Sequence, residues 1–147
     1  MSEKSLPQTG RRETVIYSAI ILLIVVALFA IWKSRNDPRT AELNNMLAGN
    51  QEISSFSYPF RVFTVEGSTA VVSTPRSPQM SVLRFLEIDS PRLDISQPDS
   101  PEVIAAQKAL ASVQTKVQEV VKSHPEIDGV RWQLDKQWYI RHGVVVP

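Results

Sequence analysis

The sequence predicts an α+β protein, in which a single N-terminal transmembrane helix precedes a small soluble domain with an antiparallel or mixed sheet packed on one long helix. Three observations predict this class. An unbroken apolar run, Val15–Trp32, lies near the N-terminus. Two short segments rich in β-branched residues follow it and flank a glycine turn. A long segment with Val and Ala at three- and four-residue spacing comes next, which is the period of a helix with one apolar face.

The run Val15–Trp32 is predicted to cross a lipid bilayer. It is eighteen residues long and contains no charged side chain. As a helix it spans roughly 27 Å, close to the hydrocarbon thickness of about 30 Å, and only a helix satisfies its own backbone hydrogen bonds in lipid. A signal-peptide cleavage site needs small residues at A-x-A spacing, but Phe29 occupies one of those positions. We therefore expect an uncleaved anchor over residues 14–33.

Basic residues flank the anchor equally, so the positive-inside rule does not select an orientation. Three precede it and three follow it: Lys4, Arg11, Arg12, Lys33, Arg35 and Arg39. We expect residues 1–13 to form a short cytoplasmic tail, because a short tail before an early span is the usual signal-anchor layout. This layout puts the C-terminal domain on the extracytoplasmic side of the cell (inner) membrane.

After the anchor, the sequence predicts a juxtamembrane helix and linker over residues 34–57 and one α+β domain over residues 58–147. Residues 37–147 contain 11 Lys+Arg and 13 Asp+Glu, a net charge of −2. This balance argues against a nucleic-acid partner, because such proteins carry a basic patch. The absence of cysteine excludes disulfides, thiolate nucleophiles and cysteine-based metal sites.

Local signals predict a short helix and then a β-hairpin. Asp37-Pro38 is a helix-start signature, and the helix is expected to end at Gly49. Residues 50–57 form a polar connector. Residues 60–65 and 69–74 are predicted strands because β-branched and aromatic residues dominate them, and the glycine of Glu66-Gly67-Ser68 suits the turn between them. Both strands carry apolar residues on both faces, which predicts that at least one is covered on two sides.

Two helices are predicted after the hairpin. Ser77-Pro78 repeats the helix-start signature, and a helical stripe continues to Ile88, with a strand over residues 82–88 as the alternative. A loop rich in Pro, Ser and Asp occupies residues 89–99. The longest soluble helix is predicted from Pro101 to Ser123, roughly 34 Å long.

The long helix carries an apolar seam with a 3-4-3-4-3 spacing. One interpretation is a coiled coil that dimerises the protein, but the flanking positions lack complementary charges and the seam covers barely three heptads. We favour packing of this small-residue face on the sheet. The seam consists of Val103, Ala106, Leu110, Val113, Val117 and Val120.

The C-terminal part is predicted to contain one strand and one short helix. Residues 129–135 alternate, which predicts that Val130, Trp132 and Leu134 point inward while Arg131, Gln133 and Asp135 point outward. Residues 136–142 are expected to form a helix capped by Asp135 and stopped by Gly143. A second strand through Trp138 and Ile140 is the alternative.

The passage HPEIDGVRW, residues 124–132, looks similar to the helix-to-strand turn of small ferredoxin-like modules. The resemblance covers only these residues and implies a ferredoxin-like arrangement of helices and sheet. It carries no implication about a ligand or a catalytic residue.

Candidate catalytic and metal-binding residues are few. No G-x-S-x-G, P-loop or G-x-G-x-x-G motif occurs. The two histidines, His124 and His142, would need a carboxylate such as Asp128 to bind a metal, and we expect them to cap helix ends instead. The spacing of Asp89, Asp94 and Asp99 does not match a calcium loop, so these residues are expected to cap turns beside prolines. We predict no cofactor, no metal and no catalytic residue.

The C-terminal aromatic cluster is the candidate interface. Trp138 and Tyr139 are large aromatic residues of the kind that anchor interfaces, and Arg131 and Arg141 are expected to supply a polar rim. The competing interpretation places Trp132 in the core with Trp138 covering its edge.

These observations predict a membrane-anchored, non-catalytic protein-interaction or scaffolding module, an accessory subunit of an envelope assembly. Its expected partners are the lipid bilayer and another membrane or envelope protein. A homodimer is a weaker expectation. The alternative function is a membrane-tethered enzyme or small-ligand-binding domain that uses the histidines and the acidic loop.

Overall fold

The computed structural model describes residues 9–146, which form two units divided after Asn36. The first unit is one helix, α1 (Thr9–Arg35). Within the described part of the chain it is the one helix long and apolar enough to cross a membrane, and none of its apolar stretch is buried in protein. It is therefore a candidate membrane span or signal anchor. The tail predicted over residues 1–13 lies mostly outside the described residues, and its last five residues, 9–13, belong to α1.

The second unit is an α+β domain with a mixed sheet. The sheet has three strands in the order β1-β2-β3, with β1 antiparallel and β3 parallel to β2. This confirms the predicted class, and the ferredoxin-like resemblance stays a prediction. The elements are α2 (Pro38–Gly49), α3 (Gln51–Ser54), β1 (Val62–Glu66), β2 (Thr69–Thr74), α4 (Val82–Asp89), α5 (Pro101–Lys122), β3 (Gly129–Leu134) and α6 (Lys136–Arg141).

Two regions of the domain differ most from the predictions, and β1 begins two residues later than expected, at Val62. The connector over residues 50–57 contains the short helix α3, because the side chain of Asn50 accepts a hydrogen bond from the Ile53 N–H and so caps it. The helix expected from Ser77 begins four residues later, where Ser81 caps α4. The intervening residues form a tight turn in which the backbone groups of Ser77 and Met80 bond to each other at 2.9 and 3.1 Å.

The core lies between one face of the sheet and helices α2 and α5. The register places Val62, Val72 and Trp132 side by side on this face. The seam of α5 faces it, with Val103, Leu110, Val113 and Val117 buried, which agrees with packing on the sheet rather than with a coiled coil. The segment predicted as a juxtamembrane helix and linker belongs to the same core through Leu43, Leu47 and Ile53.

The opposite face of the sheet is polar at its surface. Arg131 of β3 reaches across β2 to Glu66 of β1, with 2.6 Å between Nη2 and Oε2. Between them Val71 is buried, although it points away from the core. The central strand β2 is therefore covered on both sides, as its apolar residues on both faces predict.

The buried carboxylate of Asp135 joins three parts of the domain. Its side chain was predicted to point outward, but it is only 2% exposed. Its Oδ1 accepts a hydrogen bond from the Trp138 N–H at 3.1 Å and so caps α6, as predicted. Its Oδ2 accepts one from the Tyr58 hydroxyl at 3.2 Å. The Arg61 guanidinium lies 3.1 Å from both oxygens. Together, these three partners offset the free-energy cost of removing the carboxylate charge from water.

We expect Asp135→Ala to lower the free energy of unfolding by about 3 kcal/mol, near the lower end of the range for breaking a buried ion pair because Arg61 keeps contact with water. Asp135→Asn keeps an acceptor for the helix cap, so it should lower the free energy of unfolding by only about 1–2 kcal/mol. Urea unfolding followed by tryptophan fluorescence measures both. Asp128→Ala, at an exposed acid just before β3, is the matched control and should change stability by less than about 0.5 kcal/mol. Equal losses for Asp128→Ala and Asp135→Ala would contradict the role of the buried carboxylate.

Candidate functional site

The two aromatic residues of the predicted interface lie in the core. Trp138 is 5% exposed and Tyr139 is 0% exposed. The Trp138 ring packs edge-on against Tyr58 and Tyr139, with centroids 5.8 and 5.0 Å away, and the Tyr139 hydroxyl donates to the Pro75 carbonyl. The reason is that α6 is held against the end of β2, which turns both rings inward. Neither ring can therefore anchor a partner in this fold.

The two arginines of the predicted interface are exposed but are engaged differently. Arg131 lies on the open sheet face in its ion pair with Glu66. Arg141 lies in the last turn of α6, where a cation suits the negative end of the helix. Ile140 between Tyr139 and Arg141 is 56% exposed. Any interface near the C-terminus must therefore form through these side chains rather than through the aromatic cluster.

The histidines and the loop acids are engaged in separate local structures. His124 is buried; its Nδ1 accepts from the Glu126 N–H at 3.2 Å, and its Nε2 lies 3.4 Å from a carboxylate oxygen of Glu42. His142 stacks on Trp138, with ring centroids 4.1 Å apart. Within the described residues, no three His, Cys, Asp or Glu side chains form a group that could hold a metal ion.

Asp89 and Asp94 of the acidic loop are held by neighbouring serines. Asp89 accepts a hydrogen bond from the Ser57 hydroxyl at 2.7 Å. Asp94 accepts bonds from the hydroxyl and the N–H of Ser96, and these bonds, the hydroxyl first, lower the pKa of the Asp94 carboxyl. The bonds of Asp94 are the turn-capping contacts expected of an aspartate in this loop. Asp89 is the last residue of α4, and its bond to Ser57 is a tertiary contact rather than a turn cap.

The outer edge of β1 is closed by a side chain from α2. The Asn44 amide accepts from the Val62 N–H at 2.8 Å and donates to the Val62 carbonyl at 3.0 Å. These are the two backbone groups that Val62 turns away from β2, since the neighbouring Arg61 carbonyl accepts from Ser73 of β2. Asn44 thus replaces one residue of a neighbouring strand and blocks further pairing at this point.

The outer edge of β3 is open along its length. The bonds from Gly129 N–H to Ser68 and from Asp135 N–H to Thr74 fix which residues face β2. In a parallel ladder the alternate residues, Val130, Trp132 and Leu134, then turn their N–H and C=O groups outward. None of these outward groups has a hydrogen-bond partner among residues 9–146. Such an edge is a template for an added strand.

Two adjoining shallow cavities lie where β2 ends and α4 begins. Their volumes are about 320 and 240 Å³, and Arg76 and Val82 line both. The smaller also contacts Lys108 and the apolar side chain of Leu110. Neither Arg76 nor Lys108 forms an ion pair with any described residue. The larger cavity extends to the start of α4. Both cavities therefore combine the positive charge of Arg76 with the apolar side chain of Val82.

Comparison with family models, with curated proteins and with solved structures gave no match for this chain. The function must therefore be inferred from the chemistry of the chain itself. Three exposed features support such an inference: the apolar helix α1, the open edge of β3 and the cationic cavities.

The residues that shape these surfaces are not among the site residues predicted from the sequence. Asn44 is a polar residue next to the core position Leu43, and a polar side chain beside an apolar stripe is the signal that could have suggested an edge contact. Arg76 lies two residues after the end of a predicted strand, the region where ligand sites form in sheets with parallel strands. Lys108 gives no comparable signal, because its approach to Arg76 depends on the packing of α5.

Burial raises the pKa of the Tyr139 hydroxyl above its ordinary value of 10.0, and a nearby Arg84 only partly opposes this. Burial also raises the pKa of the Tyr58 hydroxyl, and the negative Asp135 adds to it. Both hydroxyls therefore keep their protons in the fold at a pH where an unfolded chain would lose them. Their contribution to stability is complete below about pH 10 and is lost as the pH rises from there toward the folded pKa.

We expect the free energy of unfolding of the full chain in mild detergent to fall between about pH 8 and about pH 11. Tyr139→Phe and Tyr58→Phe should each make this fall less steep, since each removes one hydroxyl that resists ionisation only in the fold. Urea unfolding at the two pH values measures the difference. Tyr17→Phe in α1 removes a tyrosine outside the domain core and should leave the fall unchanged. Equal slopes in all four proteins would contradict the buried, protonated state.

Proposed function

We propose that the chain is a single-pass membrane protein of the cell (inner) membrane with a cytoplasmic N-terminus. Its α+β domain then lies on the extracytoplasmic side and acts as a non-catalytic protein-interaction or scaffolding module, an accessory subunit of an envelope assembly. The observation that carries the proposal is the surface of α1. Fourteen large apolar side chains between Val15 and Trp32 are exposed there, on every face of the helix.

The free energy of hydration explains why this surface indicates a membrane. Leaving one such side chain in water costs about 1.5–3 kcal/mol relative to burying it, and a soluble protein rarely exposes an apolar patch this large. The domain has its own core, formed by residues 43–146, and none of the core side chains comes from α1. Lipid is the environment that covers all faces of such a helix.

The interaction role is supported by the open edge of β3. An added strand would satisfy the outward backbone groups of this edge, and Arg131 lies on the same strand with its side chain exposed. Binding through main-chain groups requires no catalytic residue. A domain held near a membrane by a helix and offering a sheet edge suits assembly with a further protein chain at that membrane.

We expect the full chain to stay in the membrane fraction after alkaline carbonate extraction. Leu23→Arg with Val26→Arg should move it into the soluble or aggregated fraction, because each arginine at the centre of a span costs about 2.5–3.5 kcal/mol. Leu23→Ala with Val26→Ala is the matched control and should stay in the membrane. An alkaline phosphatase reporter fused after Pro147 should be active and a green fluorescent protein fusion dark.

Extraction of the wild-type chain by carbonate would contradict the anchor. An inactive phosphatase together with a bright fluorescent fusion would reverse the orientation and place the domain in the cytoplasm.

A second candidate function, a membrane-tethered small-ligand-binding domain, is favoured by the two cavities. The cations Arg76 and Lys108 beside apolar Val82 and Leu110 suit a carboxylate or phosphate carried on a short apolar chain. The site differs from the earlier expectation, in which the histidines and the acidic loop would hold the ligand.

We expect hexanoate to bind the fragment 37–147, which contains the whole core, and to shift the amide resonances around Val82. Arg76→Gln should weaken this binding roughly tenfold, because it removes a charge-assisted hydrogen bond. Arg92→Gln, at an exposed arginine outside both cavities, should leave it unchanged. Hexanol lacks the charge and should bind no better to the wild type than to Arg76→Gln. Equal binding of hexanoate by both arginine variants would exclude this site.

A further inference from the structure

We infer that the open edge of β3 pairs with β3 of a second copy of this chain, antiparallel and about a two-fold axis at Trp132. The inference deepens the proposed function, on which it rests, by naming a partner for the same edge. Two three-stranded sheets then become one continuous sheet of six strands, with the helices of both copies on the same side.

The backbone groups of β3 suit this pairing. Val130, Trp132 and Leu134 each turn one N–H and one C=O outward, as the ladder with β2 requires. In an antiparallel pair, two residues with outward groups exchange both hydrogen bonds. A two-fold axis at Trp132 places Val130 opposite Leu134 of the other copy and Trp132 opposite itself. Every outward group of the three residues then has a partner.

The side chains of β3 favour the same register. Val130, Trp132 and Leu134 are half-buried and apolar, and they lie on the core side of the sheet. Pairing about Trp132 therefore brings apolar side chains against apolar side chains. On the polar face, Arg131 lies opposite Gln133. An axis at Arg131 would instead oppose two arginines, and like charges directly opposite are destabilising.

Charges beyond the ends of the strand are also self-complementary about Trp132. Asp128 lies four residues before it and Lys136 four residues after it. The two-fold axis therefore brings the acidic end of one β3 to the basic end of the other, at both ends of the pair. This complementarity favours a second copy over an unrelated extended segment.

Other surfaces of the domain suit self-association less well. The edge of β1 is closed at Val62 by Asn44. The seam of α5 is covered by the sheet. The aromatic residues of α6 are buried. The edge of β3 thus remains as the self-complementary surface within the described residues.

Disulfide crosslinking of the full chain in its membrane tests the pairing directly, because the wild type has no cysteine. Arg131→Cys with Gln133→Cys should give a dimer on a non-reducing gel after mild oxidation. Residue 131 of one copy lies opposite residue 133 of the other, and opposite residues of an antiparallel pair have Cα atoms about 4.5–5.5 Å apart, which a disulfide can bridge. Either substitution alone should not, because two copies of one position lie roughly 8 Å apart. Thr64→Cys with Glu66→Cys, at the same spacing on the closed edge, should give none.

Charge changes at Gln133 give a second test that leaves the core intact, since this side chain is exposed. Gln133→Glu places a carboxylate opposite each Arg131 and should tighten the dimer roughly 2- to 30-fold, whereas Gln133→Lys should weaken it by a similar factor. Sedimentation equilibrium of the full chain in density-matched detergent measures both. Thermal unfolding confirms that the two variants are equally folded.

A dimer from the double-cysteine variant, with opposite effects of the two charges, supports the pairing. Absence of that crosslink, a crosslink to a different protein, or charge effects of the same sign would overturn it. Membrane extraction separates the two proposals: a chain that stays in the membrane without crosslinking refutes the dimer alone. A chain that leaves the membrane but still crosslinks refutes the anchor alone.

Discussion

The domain depends on one buried carboxylate. Asp135 ends β3, caps α6 through the Trp138 N–H, and binds Tyr58 and Arg61 from the segment that leads into β1. A charge in the interior is tolerated only when such partners surround it, so the groups must meet in one arrangement. The requirement ties the end of the last strand to the beginning of the first, two parts of the chain that are far apart in sequence.

Because Asp135 holds α6 against the sheet, Trp138 and Tyr139 complete the core instead of forming a surface. The surface that remains is dominated by the two edges of the sheet, and they differ. Asn44 gives the edge of β1 an amide that imitates a neighbouring strand. No described residue does the same for β3. Unpaired edges attract other strands, so this difference directs association to one side of the domain.

Under the proposed function, anchoring by the apolar helix α1 favours association at the edge of β3. A membrane anchor confines copies to one surface and raises their effective concentration, so even a modest main-chain interaction is enough for association. The cationic cavities near Arg76 lie on a different part of the domain, at the end of β2 and along α5. Binding of a small anion there and pairing of β3 involve no common residue.

Features that depend on neighbouring residues can be predicted from the sequence. The apolar run, the hairpin around Gly67, the long helix and the cap of α6 all follow from local spacing and local hydrogen bonding. The direction of individual side chains depends on contacts between elements that are far apart in sequence. The alternation of residues along β3 predicts that Asp135 points outward. It is buried nevertheless, because Tyr58 and Arg61, more than seventy residues away in sequence, contact it. Trp138 and Tyr139 are typical interface residues by type, but the docking of α6 makes them core residues. Alternation along a strand cannot contain that information, since the partners that bury these groups come from other elements.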